Sequence, residues 1–222
     1  MSARRDRPAG LANFRAKADR AAALARYARL APRYEDTTTR IREVHLHAPD
    51  LLALRLGETV FDVACGAGAI LCDLSWRVGP RGRVFGVEQS PEMRARAIEA
   101  SGDCDNVRVL CEPVETFRSP PWAARQSSAA RTTCSRARRR WRTCSRSFVP
   151  APAWSVAGLC LLPAWGTPVN AWVRWGARHY LTAWHGLRAP WVPLLEWFLD
   201  LSLVERYLWG TGYLAVGTVR SR

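Results

Sequence analysis

The stretch VFDVACGAGA, Val60 to Ala69, places an acid, Asp62, at the end of an apolar run and two glycines, Gly66 and Gly68, just beyond it. A glycine pair between a buried strand and a helix lets a ligand come close to the backbone. The helix N-terminus there offers N–H groups that attract anions. A second apolar run ends on Glu88, where a carboxylate can accept two hydrogen bonds from the hydroxyls of a ribose. Cys65 reads as a small loop filler rather than a nucleophile. His45 and His47 read as surface residues of a helix. His179 and Tyr180 could face a substrate, but the plain structural reading is preferred for both. None of the seven cysteines forms a CxxC pair or a zinc spacing, so no metal site is expected.

Two ligand classes use such a loop. A dinucleotide calls for G-x-G-x-x-G, whose third glycine allows close helix–strand packing. Here that third position is Leu71. A carboxylate at Asp62 also suits an ammonium group better than a pyrophosphate. Asp62, Gly66-Ala67-Gly68 and Glu88 together describe a ligand with an amino-acid end and an adenosine end, as in S-adenosylmethionine. A nucleotide-binding oxidoreductase of Rossmann type is the alternative, disfavoured by Leu71 and Asp62.

The elements that must position these residues follow from hydrophobic period. ETVFDVAC and GRVFGVE read as buried strands and NVRVLCE as a third strand. GAGAILCDLSWRVG and SPEMRARAIEASG read as helices, the second with Ser90 as N-cap and Pro91 at its first position. Strand and helix in alternation imply parallel strands with right-handed crossovers. Upstream, helices are expected over Leu11–Leu30 and Thr37–Leu54. Downstream, WSVAGLCLL reads as a strand, VNAWVRWGARHYL and PWVPLLEWF as helices, and LSLVERYLWGTGYLAVGTV as a hairpin turning at Gly210-Thr211-Gly212.

VFDVACGAGA followed by RVFGVEQSPEM resembles the class I S-adenosylmethionine-dependent methyltransferases, most of all the group of ubiquinone and menaquinone methyltransferases. YARLAPRYEDTTTRI, Tyr27 to Ile41, is similar to the helix that precedes the core in that group, and ERYLWGTGYLAVGTV to its antiparallel last hairpin. The resemblance covers roughly residues 27–118 and 154–220. It implies an α/β fold: a Rossmann-like, mostly parallel sheet with an antiparallel C-terminal hairpin strand and N-terminal capping helices. It implies a basic leader with capping helices over 1–43 and a single methyltransferase domain over 44–222. Asp62 would approach the methionyl ammonium. Ala64, Cys65, Gly66, Ala67 and Gly68 would line the loop, Glu88 would hold the ribose, Gln89 would lie beside the adenine, and Val114 would pack on its ring. Ala64 stands where many relatives have glycine, a mild change. Pro113 stands where relatives often place an acid against the adenine amino group. The implied cofactor is S-adenosylmethionine and the implied acceptor a small or lipid-like molecule. No general base is named by the sequence.

The net charge of +14 is spread unevenly. Residues 44–118, which read as the folded core, carry eight basic and eleven acidic residues. Residues 119–153 carry eight basic and no acidic ones, so the high overall charge does not by itself imply a nucleic-acid partner. Cysteine usage with no secretory signal points to a reduced, cytoplasmic setting. The longest uncharged run, 155–173, is broken by Pro163, Gly166, Pro168 and Asn170, which argues against a membrane span. Eight of the eleven tryptophans lie beyond residue 150. Core packing is the favoured account of them, and with the basic N-terminal part they also suit peripheral contact with a membrane surface.

Residues 130–147, ARTTCSRARRRWRTCSRS, follow no structural period. The resembling family has a fourth strand there and an RPG turn before the fifth. Back-translated with GC-rich codons and shifted by one nucleotide, Arg131 to Ser135 becomes x-H-D-V-L, and Phe148 to Trp154 becomes L-R-P-G-A-R-V. The expectation is that residues 122–154 are read out of frame between two compensating indels. A central strand bearing Arg138-Arg139-Arg140 would bury unpaired charge at several kcal/mol each. The segment is therefore expected to loop out, leaving a gap or a poor strand beside the first strand and impairing this chain. The competing reading is a basic arm for nucleic acid, in an otherwise inactive relative.

Overall fold

A computed structural model of the chain describes residues 20–34, 45–113, 117, 130–134, 154–163, 166–177, 187 and 200–218. Its strands are β1 (Thr59–Val63), β2 (Arg83–Glu88), β3 (Val107–Cys111), β4 (Ala130–Cys134), β5 (Trp154–Leu159), β6 (Ser202–Tyr207) and β7 (Gly212–Gly217). Its longer helices are α1 (Arg20–Leu30), α2 (Leu71–Val78), α3 (Pro91–Ala100) and α4 (Thr167–Ala177). The strands form a seven-stranded sheet in the order β3-β2-β1-β4-β5-β7-β6. β1 to β5 are mutually parallel, and β7 runs antiparallel to both β5 and β6. The expected fold class is the observed one.

β1 is central and every residue of it is buried. Such a strand must be largely apolar on both faces, and TVFDV is, apart from Thr59 and Asp62. Val60 and Val84 pack with Ile70, Leu71, Leu74, Val78 and Ala97 on one side of the sheet. Phe61 stacks on Phe85 at 5.3 Å, and Phe117 tilts against Phe61 at 5.9 Å, on the other side. Full burial of a Phe61-sized side chain is worth about 1.5–3 kcal/mol. α3 begins as expected: the Ser90 hydroxyl accepts from the Met93 N–H at 3.3 Å, with Pro91 in the first turn.

Four expectations change. The helix over Thr37–Leu54 does not run through: within its described part, residues 45–47 are helical, then the chain turns at Ala48-Pro49. A short 3-10 turn, Asp50–Leu52, follows and ends on Ala53 at φ 45. Pro49 lacks an N–H and its ring crowds the preceding turn, which stops the helix. The Arg/Ser-rich segment does not loop out over 130–134, because β4 pairs residue for residue with β1. Cys72 and Cys104 are joined in a disulfide, so these two are not the reduced thiols expected. Finally, the hairpin forms, but its connection runs over residues 208–211, starting two residues before the expected one, and Gly212 is already the first residue of β7.

The helix over PWVPLLEWF, together with His179, Tyr180 and Val114, falls outside the described residues. Among the described residues no helix is long and apolar enough to cross a membrane. His47 is exposed, 3.7 Å from Glu205. His45 is half-buried rather than on the surface, and burial pushes its imidazole pKa down.

Candidate functional site

In parallel strands, residues in register share a face, and residues two apart on one strand share it too. Asp62 of β1 is in register with Gly86 of β2, and Glu88 lies two residues beyond Gly86. Asp62 and Glu88 therefore project from the same side of the sheet at the carboxyl ends of neighbouring strands. Both are buried, at 4% and 7% exposure. That edge is where open α/β sheets bind their ligands.

The glycine loop folds over this face. The Ala64 and Cys65 N–H groups donate to the Val87 carbonyl at 2.8 and 3.3 Å, which carries the chain across β2. The Cys65 sulfur then sits above Gly86: a Cβ built there would lie 2.9 Å from it. Burial, and after it the Asp62 and Glu88 carboxylates, push the Cys65 thiol pKa well up. A thiol kept protonated is a poor nucleophile. The loop-filler expectation for Cys65 agrees with this.

Glu88 ties the loop to α3. One of its oxygens accepts the Gly66 N–H at 3.2 Å and the other accepts the Ser90 N–H at 2.9 Å. A carboxylate held by two backbone donors is fixed in place and has further lone-pair capacity for hydroxyls. Gly68, at φ 82, packs on α3 so closely that a Cβ there would lie 2.9 Å from the Ala97 Cα. Gly66, at φ 60, also takes a conformation that favours glycine. Ala64 takes it without being glycine, at φ 64. The departure at Ala64 thus carries backbone strain on the order of 1–2 kcal/mol.

Leu71, where a dinucleotide loop would have its third glycine, is fully buried in the core. Close approach is provided on the strand instead: a Cβ at Gly86 would lie 3.4 Å from Leu71. Ala67 is buried against Tyr27, Ala31 and Met93 of the N-terminal cap and α3. Gln89 is buried next to Glu88.

Tyr34 was not among the residues singled out from the sequence. Its ring packs on the same cluster, and its hydroxyl lies 3.6 Å from where a Gly66 Cβ would be. The stretch YARLAPRYED points to a helix, and nothing local in it marks Tyr34 as part of the loop's roof. Among the described residues no group of three His, Cys, Asp or Glu could hold a metal ion.

Comparison with known proteins agrees with this geometry. Residues 61–125 match the family described as a methyltransferase domain. A stretch of 79 residues, 34% of the chain, is 52% identical to a segment forming 17% of the 23S rRNA (uracil(1939)-C(5))-methyltransferase RlmD of Acinetobacter baylyi. A stretch of 75 residues, 33% of the chain, is 41% identical to a segment forming 27% of nocamycin O-methyltransferase of Saccharothrix syringae. The chain thus spans under a third of either curated relative. A crystal structure of an S-adenosylmethionine-dependent methyltransferase from Aquifex aeolicus superimposes with a TM-score of 0.51 and 16% identity, over 89% of this chain and 98% of that one. The chain has the Rossmann-like fold of the S-adenosylmethionine-dependent methyltransferases.

Proposed function

We propose that the chain is an S-adenosylmethionine-dependent methyltransferase that acts on a small-molecule or lipid-like acceptor, in the manner of the ubiquinone and menaquinone group. The observation that carries this is the placement of Asp62 and Glu88 on one face of adjacent strands, with the Gly66 N–H tied to Glu88. The residues fit the cofactor by their own chemistry. Gly66 and Gly68 adopt positive φ, and Gly68 packs against Ala97 of α3 with no room for a side chain, which holds the loop close to the strand ends. Asp62 would hold the amino-acid ammonium, Glu88 the ribose hydroxyls, and Gln89 and Val114 the adenine. Tyr34 would roof the loop.

When bound, the cofactor supplies a sulfonium-activated methyl group for in-line displacement at carbon. The chain's own work is then to align the acceptor and to exclude water. A general base is needed only for an acceptor that must lose a proton. The resemblance to nocamycin O-methyltransferase supports a small-molecule acceptor. A second reading has its own support: the 52% identical segment belongs to an rRNA methyltransferase, so RNA is a competing acceptor. The Rossmann oxidoreductase reading is disfavoured by Leu71 and Asp62. Calorimetric titration with S-adenosylmethionine and with NAD is the test. Binding of the first alone is expected, and binding of NAD alone would overturn the reading. Methyl transfer to quinone-like phenols against transfer to an rRNA fragment separates the two acceptor classes.

The reading of residues 122–154 as out of frame belongs with this proposal. The shifted string x-H-D-V-L falls on Arg131–Ser135, and Ala130–Cys134 is where β4 pairs between β1 and β5. The position calls for a central strand, and the shifted text reads as one better than ARTTC does. Sequencing the coding DNA across this span is the test, and codons that fit no shifted reading would end the idea.

A further inference from the structure

Besides Leu46 and Ile98, two groups of large exposed apolar side chains stand out among the described residues. Leu56, ahead of β1, and Trp76, on α2, are 76% and 81% exposed. Leu203 and Val204 lie near the start of β6, level with the start of β5 and away from the carboxyl ends of the parallel strands. The other group is Trp172 and Trp175 on α4 and Trp209 in the turn after β6, the last 82% exposed. This second group sits at the ligand edge of the sheet. β5 ends at Leu159, in register with Gly212, and the Cys160 N–H donates to the Thr211 carbonyl at 2.6 Å. The Leu208–Gly210 turn therefore lies at the carboxyl ends of the parallel strands, the edge at which the glycine loop opens.

α4 and this turn are held to one residue. The Asn170 side chain accepts from the Leu162 N–H at 2.8 Å and donates to the Leu162 carbonyl at 2.9 Å. Leu162 in turn lies 3.5 Å from where a Gly210 Cβ would be. The turn itself is strained. Leu208 and Trp209 both hold positive φ, at 50 and 60, where glycine or asparagine is the easier choice. A tryptophan there neither relieves the backbone nor fills the core.

We infer that this face docks on an anionic phospholipid surface. The inference rests on the reading of a lipid-like acceptor and says how such an acceptor is reached. Tryptophan favours the membrane–water interface, where its ring is half in apolar surroundings and its N–H finds a partner. Stable attachment needs a second, basic signal. Arg174 lies exposed between the two tryptophans of α4, a helix with no acid in its sequence. Arg206 stands beside the turn, its guanidinium donating to the Gly210 carbonyl at 3.4 Å. The acid of β6, Glu205, is 3.7 Å from His47.

Cosedimentation of the full chain with phosphatidylglycerol vesicles, and with phosphatidylcholine vesicles for comparison, tests this. The chain should bind the anionic vesicles, and Trp175→Ala and Trp209→Gly should each weaken that binding several-fold. Trp209→Gly also relieves the left-handed backbone, so loss of fold does not explain its effect. Trp76→Ala, an equally exposed site elsewhere, should change nothing. Binding that vanishes in high salt and ignores the tryptophan variants would assign vesicle attraction to residues 119–153 and overturn the inference. So would association of the chain with itself, without vesicles, that Trp209→Gly abolishes. S-Adenosylmethionine titration of the same samples keeps the two readings apart: failure there counts against the transferase, and failure with vesicles counts against this surface alone.

Discussion

β1 and β4 are neighbours in one sheet, paired over five residues, and their sequences have little in common. β1 is TVFDV, buried throughout. β4 is ARTTC, with Arg131 at the register position beside Val60, which is fully buried. β1 makes its own case for being a central strand. β4 is a strand because β1 on one side and β5 on the other leave a strand-shaped place with backbone groups to satisfy. A sheet can thus hold a position open for a segment whose side chains do not suit it.

The first way to break this comparison carries the largest effect. Replacing residues 122–154 by the shifted reading should raise stability by several kcal/mol, because a strand ending in Val-Leu replaces one whose sequence carries arginine at the sheet's centre. The midpoint of chemical denaturation measures it, and an unchanged midpoint would mean that β4 already suits its place.

On the β1 side the comparison sharpens through glycine. Gly68→Ala should cost about 1–3 kcal/mol, since φ 82 and the contact with Ala97 both oppose a methyl group. Ala64→Gly should act in the other direction, stabilising by about 1 kcal/mol as the strain at φ 64 is released. Thermal unfolding reads both. Ser90→Ala should lose about 1 kcal/mol as the α3 cap is removed. The smallest effect is chemical. With its pKa pushed up by burial and by Asp62 and Glu88, Cys65 stays protonated as pH rises through the ordinary thiol range. Iodoacetamide near pH 8.5 should therefore modify exposed Cys111 well before Cys65, read by peptide mass.

The legible part of the fold was the part whose physics is local. β1, β2 and β3 announce themselves by apolar runs, and α3 by Ser90-Pro91. Gly66, Gly68 and the acids at Asp62 and Glu88 could be read because turns and strand ends dictate residue types. What was missed depends on partners far along the chain. The Cys72–Cys104 bond joins residues whose spacing carries no signature. The roof over Gly66 made by Tyr34 needs α1 to pack on α3, which no local period encodes. Pro49 was a local signal passed over, and it breaks the helix that apolar spacing alone suggested. β4 could not be read from ARTTC at all, since its neighbours define it.

Both acids must face one adenosyl amino acid for the account to hold. Calorimetry of S-adenosylmethionine binding to the chain and to Glu88→Gln tests this most directly. The unsubstituted chain should bind, and the variant, which keeps one acceptor oxygen for the backbone, should bind about 1–3 kcal/mol more weakly. Equal affinity in both, or no binding by the unsubstituted chain once its fold is verified, would contradict it.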